Sequence, residues 1–138
     1  SGGPLLAGIQ PGGRGDITQP HRAWESRRGI PEIPSPVYHD KRIYLVRAGG
    51  LISCVNSENG ALIYRERLNA PGQYAASPVI ADQHLYCVSQ QGMISVVQLG
   101  DSFAVTSKSN LKAIVNATPA IDKTTLYVRT KKSLQAFR

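Results

Sequence analysis

The sequence predicts an all-β fold assembled from repeated four-stranded antiparallel sheets, and three observations predict it. A small residue followed by proline opens three similar stretches: SPVYHDKRIYLV from Ser35, SPVIADQHLYCV from Ser77 and TPAIDKTTLYVR from Thr118. Their spacings are 42 and 41 residues, and Ile43, Leu85 and Leu126 keep the same offsets, as do Leu51, Met93 and Leu134. Between the turn residues lie short runs rich in Val, Ile, Leu and Tyr, with none of the 3.6-residue apolar period of a capped helix. A fixed period of this length marks a repeat architecture, in which each unit buries its faces against its neighbours.

Each unit reads as four strands. The first starts at the small-Pro pair, where proline is tolerated because a strand's opening residue need not donate to the ladder. The second is the run of Ile or Leu, Tyr and further apolar residues, all good β-formers. The third, LISCV or MISVV, follows Gly50 or Gly92, which supply turn geometry. The fourth, Ala61 to Leu68 and by an offset of 42 Phe103 to Asn110, turns from apolar to polar, as an outer strand should. The register is expected to hold without gaps across these elements. Turns are expected at His39-Asp40-Lys41, Ser57 to Gly60, Ala81-Asp82-Gln83 and Gly100-Asp101-Ser102. At the N-terminus, Pro4 to Ile9 reads as a third strand and His21 to Arg27 as a fourth, joined by a glycine-rich connector from Gln10 to Asp16.

Four strands in a 41-residue unit is the size of one β-propeller blade. The expected division is residues 1–28 as the third and fourth strands of a partial blade, 35–68 and 77–111 as whole blades, and 118–138 as an incomplete one. About three blades make an incomplete ring, since propellers close with typically four to eight. The expectation is therefore a C-terminal part of a longer protein. The alternative is self-association through open sheet edges, the N-terminal strand pair of one copy completing a partner's last blade.

Composition narrows the classes further. The chain has 138 residues, 41% of them hydrophobic and 18% charged, which suits a globular domain rather than disorder. No apolar run approaches the roughly 20 residues that cross a bilayer, and the start SGGPLLAGIQPGG has no signal-peptide pattern. Two cysteines, Cys54 and Cys87, are too few for a disulfide scaffold. They align with apolar positions of other units and read as small buried hydrophobes in different strands. His21, His39 and His84 share no metal-ligand spacing and read as solvated residues in or near turns. No nucleophile elbow or phosphate-binding loop is present, and Arg14-Gly15-Asp16 is too short a match to carry meaning.

The pattern of small-x-Pro-Val, D-x-x-L-Y-x-V, G-x-I-x-x-V and S-E-N-G-A-x-I-Y resembles the pyrroloquinoline-quinone-type (PQQ-like) propeller repeat. The turn Asn56 to Tyr64 stands where that family carries D-x-x-T-G-x-x-x-W, and Leu134 to Phe137 resembles its L-x-A-F close. Trp24 keeps the expected indole, with Tyr64 and Val105 at the matching places. The resemblance extends to noncatalytic outer-membrane assembly propellers of the BamB type, and implies a periplasmic or secreted interaction scaffold. Its alternatives are a quinoprotein oxidoreductase whose site lies mostly outside this chain, and a sensor or ligand-binding module of a multidomain protein. Quinone enzymes of this kind carry an adjacent cysteine pair and a calcium site, whereas Cys54 and Cys87 stand 33 residues apart and the acidic residues sit mostly in turns. Neither the quinone nor calcium is expected within these residues, and no catalytic, cofactor or metal residue is assigned.

The strand reading divides the charge. The net charge of +7 separates into a loop face carrying Arg27, Arg28, Arg47, Lys112, Arg129, Lys131 and Lys132 against Glu32, and an opposite face that is net acidic. With Tyr74 in one of its loops, the basic face is the candidate surface for an acidic protein segment or another polyanion. Nucleic acid is the poorer partner, because no stacking platform or groove-reading helix accompanies the charge.

Overall fold

The computed structural model describes residues 3–138, so the first two residues of the expected partial blade lie outside the described residues. Among the described residues there is no helix, and thirteen strands form four antiparallel sheets. β1 (Leu6–Ile9) pairs with β2 (Arg22–Ser26). β3 (Val37–His39), β4 (Arg42–Arg47), β5 (Leu51–Asn56) and β6 (Leu62–Arg67) form one meander. β7 (Val79–Ala81), β8 (His84–Val88), β9 (Met93–Gln98) and β10 (Val105–Asn110) form the next. β11 (Ala120–Asp122), β12 (Thr125–Arg129) and β13 (Leu134–Phe137) form a three-stranded sheet.

The core lies between sheets. Tyr44, Val46, Ile52, Cys54 and Leu68 of the first full blade are buried against Tyr74, Leu85, Cys87 and Val97 at the second. Val88 and Ile94 then meet Val115 and Val128 in the next layer. Each aliphatic side chain buried in this way is worth about 1.5–3 kcal/mol, a gain that no blade obtains alone.

The repeated hydroxyl residue has a specific task. The Ser35 amide donates to Ser77 Oγ at 2.8 Å, and the Ser77 amide donates to Thr118 Oγ1 at 3.0 Å. The start of each inner strand is thereby tied to the start of the next. A second interblade tie runs from Trp24, whose Nε1 donates to Ser57 O at 2.9 Å while its ring covers Gly60. At the matching place in the next blade, Tyr64 packs against Phe103 with ring centroids 5.7 Å apart. The buried tyrosine hydroxyl has no hydrogen-bond partner among the described residues.

Two expectations about the register change. Arg67 stands opposite Leu51, and Asn110 stands opposite Met93, so the fourth strands are related by 43 residues rather than 42. Ser107, not Val105, therefore matches Tyr64. The extra residue lies in the β9–β10 turn, and the following connection is shorter by two: Leu111 to Pro119 spans what Leu68 to Pro78 spans with Pro71 and Gly72 added. Leu68 and Leu111 both donate from their amides to a third-strand glycine carbonyl, Gly50 and Gly92, which anchors that comparison. An insertion in one turn and a deletion in one loop restore the period, so spacing alone hides both.

Candidate functional site

Antiparallel pairing sends alternate connections to opposite ends of each sheet, and backbone hydrogen bonds then bind the connections of one end together. Gly49 donates to Gly72 O, Gln90 to Gln73 O, Val115 to Gln90 O and Lys131 to Ile114 O. These bonds join the hairpins between second and third strands to the connections between blades. At the other end, Ser57 donates to Lys41 O and Leu99 to Gln83 O.

Arg27, Arg28, Arg47, Lys112, Arg129, Lys131 and Lys132 all lie exposed on the first of these faces. Among the described residues, only Arg27 of this set is ion-paired, 3.6 Å from Glu25. On the opposite face, two of the four cations, Lys41 and Arg42, are engaged, while Arg14 and Lys123 have no carboxylate within 4 Å among the described residues. Lys41 is 3.3 Å from Glu58, and Arg42 reaches Asp101 at 2.7 Å and Asp40 at 3.1 Å. The hydrogen bond from Arg42 holds the Asp101 carboxyl below the usual carboxylate range. The two faces thus differ in neutralisation as well as in net charge.

Tyr74 is a correction. Its side chain is 3% exposed, with its hydroxyl donating to Ala70 O at 2.8 Å. The ring fills the layer between blades, so it offers a partner no contact. Its position matches Val115, also buried, which is the signal that marks it as core.

Both cysteines are free and buried. Burial pushes the Cys54 thiol up to about 11 and the Cys87 thiol up to about 12. Neither is a nucleophile at neutral pH. Among the described residues, no three His, Cys, Asp or Glu side chains are grouped to hold a metal ion.

The sequence profile of the outer membrane protein assembly factor BamB matches residues 16–138. The chain belongs to that family. BamB from Moraxella catarrhalis shares its fold, with a TM-score of 0.71 at 15% identity over 88% of this chain. The alignment covers 38% of the Moraxella protein, so the chain spans well under half of that relative's length. No curated protein sequence matches. The fold here is a PQQ-like propeller of about three blades in an incomplete ring. No helix among the described residues is long and apolar enough to cross a membrane.

Proposed function

We propose that these blades are part of an exported, noncatalytic scaffold whose basic loop face docks an acidic segment of a partner protein. The observation that carries this reading is the contrast in pairing. Six of the seven exposed cations on one face have no carboxylate within 4 Å among the described residues, while on the net acidic face two of four cations, Lys41 and Arg42, are ion-paired. Unneutralised charge of one sign steers oppositely charged segments, and the effect is screened beyond about 8–10 Å at physiological salt. A rigid display supports it too, since the hairpins and connections that carry the cations are cross-linked through their backbones. Family membership supports the periplasmic setting. The buried thiols and the dispersed acidic side chains speak for a surface that binds rather than reacts.

The test is charge reversal. Arg28→Glu, Lys131→Glu and Lys132→Glu are combined in the intact protein, and binding of a fluorescent oligoglutamate peptide is followed by anisotropy at low and physiological salt. The expected result is binding that weakens with salt and is lost in the triple variant. Unchanged binding in that variant would reject the face as the recognition surface.

A further inference from the structure

One part of the basic face has shape as well as charge. A groove of about 430 Å³ opens between the connection after β10 and the β12–β13 hairpin, with Leu111, Ala113 and Ile114 on one wall and Lys131, Lys132 and Gln135 on the other. Ile114 is 48% exposed. The corresponding place one blade earlier is filled. There the connection is longer by Pro71 and Gly72, and the side chain of Gln91 lies so close on Gly72 that an added Cβ would meet its Oε1. The shorter connection lacks both residues, so the groove has no such plug.

Both walls are held before any partner arrives. Thr130 is buried, and its Oγ1 accepts from the amides of Lys132 at 3.2 Å and Ser133 at 2.9 Å, which fixes the hairpin. Opposite, Asn110 Oδ1 accepts from the Lys112 amide at 2.8 Å, with Lys112 in the left-handed region at φ 51°. The Lys131 amide joins the two walls by donating to Ile114 O at 2.8 Å. Lys112, Lys131 and Lys132 rim the groove, and no carboxylate pairs with any of them among the described residues.

We infer that this groove is the specificity-bearing part of the basic face, taking an extended acidic peptide with an aliphatic side chain between its carboxylates. The proposal rests on the reading of that face as the docking surface. The aliphatic side chain enters between Leu111 and Ile114, and flanking carboxylates meet the rim lysines. Preorganised walls lower the ordering cost of binding, and the apolar wall of Leu111, Ala113 and Ile114 gives a purely charged chain nothing to bury.

The experiment uses the intact protein and two labelled octapeptides, one alternating Glu and Leu, the other all Glu, with a labelled single-stranded oligonucleotide as the nucleic-acid probe. The alternating peptide is expected to bind at least about tenfold more tightly than the all-Glu peptide, because the apolar wall of the groove contributes a hydrophobic gain. Ala113→Phe, which fills the groove without altering charge, removes that preference. Circular dichroism shows whether this variant stays folded, and Ile114→Asp, at an exposed position, serves as the second variant. Equal affinity for the two peptides, or a preference that survives both variants, overturns the groove. If the peptides respond to Arg28→Glu but not to Lys131→Glu with Lys132→Glu, the face binds and the groove does not. Tighter binding of the oligonucleotide than of either peptide overturns the protein-segment assignment.

Discussion

Replacing Gly60 with alanine isolates the tie between the first two sheets. Gly60 has φ +72°, and a Cβ added there would lie 2.5 Å from Trp24 Cε3. Two costs follow. The left-handed backbone of a non-glycine residue costs about 1–2 kcal/mol. Displacing the indole gives up the 2.9 Å bond to Ser57 O, about 0.5–1.5 kcal/mol, together with the ring's partial burial. The expected destabilisation is therefore about 2–4 kcal/mol. In a Trp24→Ala background only the backbone cost remains, so the same substitution should lose about 1–2 kcal/mol. Urea unfolding followed by far-UV circular dichroism gives all four corners of the cycle. Trp24 is the only tryptophan, so its emission in the Gly60→Ala protein should also shift to the red as the indole meets water. Equal costs of Gly60→Ala in the two backgrounds would refute the docking argument.

Three further outcomes can be checked on the same material. Tyr64→Phe removes a buried hydroxyl without a partner and should leave stability unchanged or raised by up to about 1 kcal/mol, a loss of more than that in urea melts meaning that the hydroxyl is bonded. Cys54 and Cys87 have thiols held up at about 11 and 12 by burial, so a disulfide-exchange reagent at pH 8 should label them only as fast as the protein opens, and immediate labelling would contradict the packing. The Asp101 carboxyl is held down by Arg42, so its folded pKa lies below its unfolded one. Its stabilisation is complete above the ordinary carboxylate range near pH 4 and is lost as pH falls below it. Asp101→Asn should thus lower Tm slightly at neutral pH and leave it unchanged at low pH, so the acid limb of a Tm-against-pH curve flattens; an unchanged acid limb would count against the pair.

Much of the fold class was legible because a repeat leaves the same physical demands at the same offsets. Val46 and Val88 are apolar for one reason, burial in a layer between sheets, and Pro36, Pro78 and Pro119 stand ahead of inner strands for another. What was not legible lies between units. The fit of Trp24 over Gly60 joins residues of different blades, and nothing in the spacing of either announces it. The one-residue insertion before β10 and the two-residue deletion after it nearly cancel, so an average period conceals the shortened connection that lines one side of the groove. Tyr74 was misread for a related reason. A tyrosine in a loop suggests an exposed ring, but this loop crosses an interblade layer and its ring is packed there.

The relay through Ser35, Ser77 and Thr118 bears on how such arrays lengthen. Its donor is a main-chain amide, which nearly every residue possesses, and its acceptor needs only a short hydroxyl side chain. A newly copied unit therefore meets its neighbour's requirement on arrival, with no matching change in the older one. Growth by duplication is chemically permitted at this seam, and divergence elsewhere in the unit leaves it intact.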